Sequence, residues 1–383
     1  MIIKDKHHKH VSLIKPYLGD FGRNELAILG SSCDNIQSLS WDLIQFLAPG
    51  HKVAYVDADH GSPQIAEKKG YQGLTLMTNK QQFLRIDLYH ALSVYEKRAL
   101  FNKEDLILVN GNHFIAKHQV LIIDPRKNIE SKLDRLTDVQ AIILIERDGE
   151  IPDYIKNALP QWEHLPLFFL EEKNLFLLWF KDWMKNQVCP LNGLILTGGE
   201  SKRMKMDKGG LSYHGSTQRE HLLSMAKNYC TQSYVSCNAS QTKEIMGDFP
   251  VIEDNFLNLG PMGGILSALR FNPNTAWLTL ACDLPYLSEK TLNYLIAHRN
   301  PHKVATAFLD PKGEFPEPLI TIWEPKSYLI LLNFLSQGIS CPRKVLINSD
   351  VEILESPDEK ELLNVNYPDE YEKVKNELKD QKS

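Results

Sequence analysis

The sequence lacks paired cysteines, an excess of basic residues and a long uncharged apolar run. Its six cysteines are scattered, which argues against a zinc site or a disulfide framework and favours reduced thiols. The formal net charge is −5, whereas nucleic-acid-binding domains are normally basic. The most apolar stretch, 165–180, is interrupted by charges and is too short to span a bilayer. The N-terminus carries charge and no apolar leader core. We therefore expect a cytoplasmic protein that binds neither nucleic acid nor membranes.

Short apolar runs alternate with amphipathic segments along the chain. Such alternation predicts mainly parallel sheets with helices on both faces. The pattern breaks at 186–190 and then restarts, and a chain of 383 residues is longer than one domain of roughly 100–200 residues. We therefore predict two tandem α/β domains, 1–187 and 188–383. Predicted strands are 25–29, 52–57, 105–110, 119–124, 140–146 and 165–170 in the first, and 193–196, 232–237, 277–281, 304–307 and 319–323 in the second, with helices at 38–47 and 175–185.

The strongest local signal is L-I-L-T-G-G-E-S-K-R-M-K-M-D-K at 194–208. A predicted strand runs directly into Gly198 and Gly199, which let the backbone approach a ligand closely and direct N–H groups at phosphate oxygens. Arg203 and Lys208 could then neutralise a phosphate chain. For an isolated glycine pair, an ordinary strand–turn–helix connection would be the more common explanation.

This segment resembles the signature of the molybdenum cofactor guanylyltransferase family, L-A-G-G-x-S-x-R-M-G-x-D-K. Further motifs of that family follow in the same order, so that the resemblance covers about 191–378. Two positions depart from it, since Thr197 replaces the usual alanine and Lys205 the usual glycine. The further motifs are V-S-C-N-A-S (235–240), V-I-E-D (251–254), G-P-M-G-G-I-L-S-A-L (260–269), L-A-C-D-L-P-Y-L (280–287) and N-V-N-Y-P-D-E (364–370).

The resemblance implies a Rossmann-like nucleotidyltransferase domain with Mg²⁺ as its cofactor. Its reaction would transfer GMP from GTP to molybdenum-molybdopterin, release pyrophosphate and form molybdopterin guanine dinucleotide, with apo-molybdoenzymes left open as recipients. The alternatives are a molybdopterin cytidylyltransferase, a sugar-phosphate nucleotidyltransferase, or a non-catalytic molybdopterin-binding adaptor or carrier. The presence of Asp283, Lys208 and Arg203 together favours an enzyme.

Asp283 is the predicted metal ligand. It follows the apolar run 277–281 and should emerge at the carboxyl edge of a parallel sheet, where open α/β folds bind ligands. A carboxylate oxygen there suits Mg²⁺, although Asp283 could instead cap the helix after Pro285. By resemblance Asp283, Lys208 and Arg203 are the catalytic residues, since charge neutralisation and positioning carry this kind of reaction.

The resemblance also indicates which residues contact the nucleotide and which contact the acceptor. Asp254 could accept hydrogen bonds from guanine N1–H and N2–H₂, and Asn238 is either a second base contact or a turn residue at a strand end. Arg343 and, more weakly, Glu317 are candidates for acceptor contact. Asn364 and Asn366 lie near the acceptor or metal, unless they only form a turn before Pro368. The predicted GTP-binding residues are Leu196, Thr197, Gly198, Gly199, Lys208, Asn238, Asp254 and Asp283.

The first domain contains an incomplete phosphate-binding loop. Counted from Gly30 against G-x-x-x-x-G-K-[ST], Asn35 replaces the second glycine and Ile36 the lysine, so the usual cation is missing. D-L-I-L-V-N-G-N-H (105–113) and V-L-I-I-D-P-R (120–126) resemble, more loosely, the molybdopterin-guanine dinucleotide adaptor proteins, with Asn110 in the place of a glutamate. This predicts a degenerate P-loop-type, adaptor-like domain that does not hydrolyse GTP.

Two further clusters in the first domain have open interpretations. Asp57, Asp59 and His60 could hold a metal ion or form a solvated turn. His7, His8 and His10 could contact an anionic cofactor or belong to a mobile basic tail.

Overall fold

The computed structural model describes residues 12–59, 73–197, 208–245 and 249–380 and divides into two compact units. One unit is Leu18–Gln187, and the other runs from Val188 onward together with the segment that precedes residue 18. In that segment the Tyr17 N–H donates to Asn274 Oδ1 (2.6 Å), and Asn274 Nδ2 donates to the Lys15 carbonyl (3.0 Å). The first unit therefore begins later than the predicted range 1–187, because residues 12–17 group with the second unit.

The first unit is built on a six-stranded parallel sheet. Its strands are β1 (Glu25–Leu29), β2 (Val53–Val56), β3 (Thr75–Asn79), β4 (Leu84–Leu88), β5 (Leu106–Asn110), β6 (His118–Ile123), β7 (Val139–Leu144) and β8 (Leu167–Phe169). Its helices are α1 (Cys33–Leu47), α2 (Val94–Leu100), α3 (Asp153–Ala158) and α4 (Lys173–Asn186), with 3-10 helices at Glu130–Arg135, Trp162–His164 and Leu170–Glu172. The sheet order is β2-β5-β1-β6-β7-β8, and all of its strands were predicted from the sequence.

Helices cover both faces of this sheet. Ile36 and Leu43 of α1 pack with Phe176 and Phe180 of α4 against one face. On the other face, Ile155 of α3 packs in a second buried cluster. Among the described strands, β3 and β4 pair only with each other. Most of their side chains are exposed. The hairpin therefore has no buried face of the kind that an alternation of apolar and polar residues predicts.

The second unit contains a seven-stranded mixed sheet. Its strands are β9 (Leu191–Leu196), β10 (Ser233–Cys237), β11 (Val251–Glu253), β12 (Ala276–Ala281), β13 (Ala305–Leu309), β14 (Pro316–Trp323) and β15 (Glu352–Leu354). Its helices are α5 (Gln218–Lys227), α6 (Ala239–Ile245), α7 (Pro261–Phe271), α8 (Glu289–Ala297), α9 (Ser327–Ser336), α10 (Pro342–Ile347) and α11 (Pro368–Asp380), with 3-10 helices at Lys208–Gly210 and Glu359–Leu362.

The order of this sheet is β11-β10-β9-β12-β14-β13-β15. Strand β14 runs antiparallel to both of its neighbours, while the other pairs are parallel. Helices α5 and α8 contribute to the core on one face, and α7, α9 and α10 to the core on the other. The predicted mainly parallel, doubly covered sheet is confirmed. Within the described ranges, no helix combines the length and apolar character that crossing a membrane requires.

Candidate active site at the carboxyl edge of the second sheet

Strands β9 and β12 lie side by side at the centre of the second sheet. After β9 the chain builds β10 and β11 on one side, and it then crosses to β12 on the other. Leu196 pairs with Ala281, so both strands end at the same level. In open α/β sheets ligands bind at such a reversal of strand order, outside the carboxyl ends of the strands. The residues that follow Leu196 and Ala281 therefore face the expected ligand position.

Asp283 follows β12 by two residues and has one uncommitted oxygen. Its backbone carbonyl accepts a hydrogen bond from the Val365 N–H (2.9 Å). Its Oδ2 lies 3.5 Å from Lys208 Nζ, whereas its buried Oδ1 accepts no hydrogen bond from the described residues. Burial raises the pKa of the Asp283 carboxyl, and the Lys208 ammonium opposes that rise. A buried carboxylate oxygen without a partner is costly unless a ligand satisfies it.

Lys208 joins two distant parts of the second unit. Its ammonium donates to Asn366 Oδ1 at 2.8 Å and lies beside Asp283. The Asn366 N–H in turn donates to Glu370 Oε2 (2.7 Å) at the start of α11. The lysine side chain is 20% exposed, so its charge is partly withdrawn from water and stays near the sheet edge.

Asn364 supplies a second oxygen of the same kind. Its Oδ1 is buried and accepts no hydrogen bond from the described residues, and the next residue, Val365, bonds to the Asp283 backbone. Within the described ranges no group of three or more His, Cys, Asp or Glu could hold a metal ion. The carboxylate and amide oxygens of Asp283 and Asn364 nevertheless suit a hard divalent cation that takes its other ligands from phosphates and water.

Asp254 lies at the carboxyl end of β11, on the same edge of the sheet. Its N–H donates to the Cys237 carbonyl (2.9 Å), and its Oδ1 accepts from Ser236 Oγ (2.7 Å). Burial raises the pKa of Asp254 to about 6, and the Ser236 hydrogen bond opposes that rise. Thr197 Oγ1 donates to the Ser236 carbonyl at 2.7 Å. The hydroxyl that Thr197 adds relative to the family's alanine is therefore satisfied within the sheet.

Asn238 caps a helix. Its Oδ1 accepts from the N–H and the hydroxyl of Ser240 and from the N–H of Gln241, at 2.6–3.1 Å. The carboxamide oxygen is therefore committed to the start of α6, as the turn interpretation predicted. Its NH₂ group is the part of the carboxamide that is left for a contact with a base.

Arg343 lies against acidic residues. Its Nη2 donates to Glu317 Oε2 at 2.8 Å, and its Nη1 lies 3.9 Å from Asp310 Oδ2. Glu317 is 2% exposed. Burial raises the pKa of the Glu317 carboxyl, and the nearby charge of Asp283 adds to the rise. The Leu319 N–H and Arg343 oppose it. Arg343 therefore compensates a buried carboxylate, and its remaining donors could contact an anionic acceptor.

Two contributors were not singled out from the sequence. Ser236 supports both Thr197 and Asp254, although its motif, V-S-C-N-A-S, was noted. Gly264 lies in the first turn of α7, where a Cβ would come within 2.6 Å of Ser236 Oγ and 2.8 Å of Leu196 Cδ2. The G-P-M-G-G motif therefore lets α7 pack closely against the ends of β9 and β10.

Several predicted residues lie outside the described ranges. They are Gly198, Gly199, Arg203 and Lys205, together with His7, His8, His10 and His60. Asp57 is described, and its oxygens accept from Tyr55 OH (2.6 Å), Asn110 Nδ2 (2.8 Å) and the Ala58 N–H (2.8 Å). These contacts favour the hydrogen-bonded turn over the metal site.

The second unit thus places a lysine, a carboxylate with one oxygen that no described residue bonds, and a half-buried second carboxylate along one edge of an α/β sheet. These features define a nucleotidyltransferase. Residues 193–350 match the model of the MobA-like NTP transferase domain family.

Named relatives agree with this class. A "Probable molybdenum cofactor guanylyltransferase" of Carboxydothermus hydrogenoformans is 30% identical over 192 residues, which are 47% of this chain and 92% of that protein. The chain therefore belongs to the molybdenum cofactor guanylyltransferase family. A "Molybdenum cofactor biosynthesis bifunctional protein" of Synechocystis sp. is 32% identical over 186 residues, 48% of this chain, and the match spans 54% of that protein's length.

A solved structure is also similar. The molybdopterin-guanine dinucleotide biosynthesis protein A of Archaeoglobus fulgidus is 20% identical, with a TM-score of 0.42, over 49% of this chain and 99% of that one. Nucleotidyltransferases of this type generally use a divalent metal ion.

Proposed function

We propose that the protein transfers GMP from GTP to molybdenum-molybdopterin, releases pyrophosphate and forms molybdopterin guanine dinucleotide. The observation that carries the proposal is the pairing of Lys208 with Asp283 at 3.5 Å, together with an Asp283 oxygen that no residue within the described ranges bonds. A triphosphate bound at the carboxyl edge of the sheet requires neutralisation of its negative charge. A cation and a carboxylate that binds a metal ion provide it there.

The acceptor's phosphate oxygen attacks the α-phosphorus of GTP. A new phosphorus–oxygen bond forms, and the bond from the α-phosphorus to the oxygen that bridges to the β-phosphorus breaks. Pyrophosphate leaves with that electron pair. The attacking group is already anionic, so no side chain has to remove a proton. Lys208 and Arg203 serve as catalytic residues by neutralising charge on the phosphates.

The metal is proposed to be Mg²⁺, with Asp283 as its protein ligand and Asn364 as the second candidate. When bound, the ion supplies Lewis-acid stabilisation of phosphate oxygens. Asp283 holds the ion's position because its backbone is fixed by Val365. Lys208 remains within reach of the same phosphates because Asn366 anchors its ammonium.

Guanine selection is assigned to Asp254. When ionised, this carboxylate accepts from both N1–H and N2–H₂, whereas cytosine and adenine present a different arrangement of donors. The loop from Leu196 and Thr197 through Gly198 and Gly199 is proposed to contact the nucleotide. Asn238 contributes its NH₂ group.

The acceptor is proposed to bind near Asn364, Asn366 and Arg343. Asn366 reaches Lys208, and the Arg343 guanidinium retains donors after its bond to Glu317. We propose apo-molybdoenzymes as recipients of the product.

The test is product analysis with the full chain, Mg²⁺ and molybdenum-molybdopterin. Each of GTP, CTP and ATP is supplied in turn, and the product is identified by mass spectrometry with parallel detection of pyrophosphate. We expect the guanine dinucleotide and pyrophosphate in equal amounts from GTP alone. A cytosine dinucleotide would overturn the guanylyl assignment, and tight molybdopterin binding without pyrophosphate release would make the protein a carrier.

A further inference from the structure

The first unit has a cluster of cations at the carboxyl edge of its own sheet. Lys127 Nζ donates to the Ser31 carbonyl (2.7 Å), Lys132 Nζ to the Asn112 carbonyl (3.0 Å), and Arg135 Nη1 to the Gly111 carbonyl (2.7 Å). All three side chains follow β6 and are half-buried. We call Lys127, Lys132 and Arg135 the basic cluster.

The basic cluster surrounds the incomplete phosphate-binding loop. Ser31 lies in that loop directly after β1, and Gly111 and Asn112 directly follow the adjacent strand β5. Asn112 Nδ2 also donates to the Ser31 carbonyl (2.9 Å), so one carbonyl oxygen joins the loop, Asn112 and Lys127. Ile36, which stands where the loop lysine would be, is fully buried. Cations from a later segment thus lie beside a loop that lacks its own lysine.

The charge of the basic cluster is not compensated by the described residues. No ion pair within the described ranges joins these three side chains to a carboxylate. Of the nearby carboxylates, Asp124 is bonded to Ser31 and Arg126, and Asp57 to Tyr55 and Asn110. Burial, Lys127 and Arg135 together lower the pKa of Lys132. Like charges held together at a partly buried site destabilise one another unless an anion binds.

Hydrogen-bonding capacity also remains. A lysine has three N–H donors and an arginine five, and each of the three side chains makes one hydrogen bond to the described residues. Asn112 is 6% exposed, and its Oδ1 accepts no hydrogen bond from the described part of the chain. The site therefore offers several donors for phosphate oxygens and one acceptor for a ligand hydroxyl or N–H.

Gly30 permits the close approach that such a site requires. Its φ is +101°, and a Cβ there would lie 2.1 Å from the Ile122 carbonyl. The loop can therefore lie close to β6, at the end of which the segment that carries the basic cluster begins. Helix α1 starts immediately after the loop with Ser32 as its N-cap, and its N-terminus adds partial positive charge.

We propose that the first unit binds the phosphate group of a small molecule at the basic cluster, separately from the nucleotidyltransferase site. The shared chemistry is a phosphate carried by a nucleotide or by a pterin. This site supplies binding only.

The test uses Cys33 as a local reporter in the full chain. Cys33 Sγ lies 3.3 Å from His113 Nε2 and 3.9 Å from Asn112 Nδ2, so a ligand at the basic cluster should slow its alkylation. The extent of alkylation at each cysteine is measured by peptide mass spectrometry while inorganic pyrophosphate is titrated. Cys341, which is exposed in the second unit, is the internal reference.

We expect pyrophosphate to slow alkylation of Cys33 but not of Cys341. Lys132→Gln should weaken this protection about tenfold, since one charge-assisted hydrogen bond is lost, and Lys132→Arg should retain it. Lys181→Ala removes an exposed cation elsewhere in the same unit and should have no effect. GTP and molybdopterin are then each added as competitors of pyrophosphate, which distinguishes a nucleotide from a pterin as the source of the phosphate.

Unprotected Cys33 in the wild-type chain would overturn the proposal. Protection that persists unchanged in Lys132→Gln and in the Lys127→Gln, Lys132→Gln double variant would overturn it as well. Because the reporter lies in the first unit, neither outcome depends on whether the second unit transfers GMP.

Discussion

Lys208 and Asp283 form a partly buried ion pair, with the ammonium 3.5 Å from Oδ2. The contact is longer than a good hydrogen bond, and the shorter contact of Lys208 is to Asn366, at 2.8 Å. The lysine is thus held in place by an amide, while one carboxylate oxygen has no hydrogen-bond partner in the part of the chain that the structure describes. This arrangement suits a site in which both charges must be available to a ligand.

Asp283→Asn should lower turnover strongly without loss of stability. The carboxylate provides the metal's charged anchor, so we expect kcat to fall on the order of 10²–10³-fold, comparable to the loss of a preorganised electrostatic contact. Because burial raises the pKa of the Asp283 carboxyl, a neutral amide should not lower Tm. The measurement is kcat at saturating Mg²⁺ with Tm in parallel, and Asp369→Asn is the exposed control. Near-normal kcat would remove Asp283 from the mechanism.

Lys208→Ala should weaken both GTP binding and turnover. Its ammonium faces charge that grows on the departing pyrophosphate, so we expect kcat/KM to fall about 10²-fold. Lys208→Arg keeps the charge and should recover part of the loss. The comparison is a steady-state measurement with Lys227→Ala, a change at the end of α5, as the control. An unchanged kcat/KM in Lys208→Ala would mean that this lysine does not contact phosphate.

The sequence was sufficient to place Asp283. An apolar strand followed by an acidic residue specifies the edge of the sheet, because strand length and direction follow from local pattern. The partner of Lys208 was not predictable in the same way, since Asn366 lies 158 residues further along the chain. Such contacts depend on how α11 returns to the sheet, which no local pattern encodes.

Other roles depend on tertiary contacts that the spacing of residues along the sequence does not reveal. The pairing of Arg343 with Glu317 required the approach of α10 to β14, and the capping role of Asn238 required the start of α6. The basic cluster is not visible in the loop sequence, where Asn35 and Ile36 only indicate that the usual glycine and lysine are missing. Its cations come from residues about 100 positions away, as the separation of 96 between Lys127 and Ser31 shows.

The affinity for GTP should fall in acid because of Asp254. Burial raises the pKa of Asp254 to about 6, so its carboxyl is ionised above that pH and protonated below it. Protonation removes an acceptor from the guanine N–H groups. We therefore expect KM for GTP to rise as pH falls through about 6, with a smaller change in kcat.

The matched variants for this prediction are Asp254→Asn and Glu253→Gln. Asp254→Asn should raise KM at all pH values and remove this titration, while Glu253→Gln removes an exposed charge that also raises the pKa of Asp254 and should keep the titration but move it to lower pH. The measurement is KM for GTP from pH 5 to 8 at saturating acceptor, a range that brackets the pKa of about 6. The same titration in Asp254→Asn as in the wild type would assign it to another group.

The stability of the second unit should depend on the ion pair between Arg299 and Glu324. Arg299 Nε and Nη2 donate to the two Glu324 oxygens at 2.7 and 2.9 Å, and Nη2 also donates to the Cys189 carbonyl (2.9 Å). The side chains are 12% and 2% exposed. Glu324→Gln leaves the guanidinium buried without a counter-charge, so we expect a loss of about 3–5 kcal/mol in the free energy of unfolding.

The exposed pair of Lys303 and Asp350 provides the control. Its Nζ–Oδ1 distance is 2.6 Å, but the side chains are 33% and 36% exposed, so Asp350→Asn should cost less than about 1 kcal/mol. Urea denaturation, followed by hydrogen exchange of backbone amides in the second unit, measures both variants. The two pairs differ in burial and in the number of hydrogen bonds, so the comparison measures both effects together. Equal losses in the two variants would show that the burial and the additional hydrogen bonds of Arg299 contribute nothing.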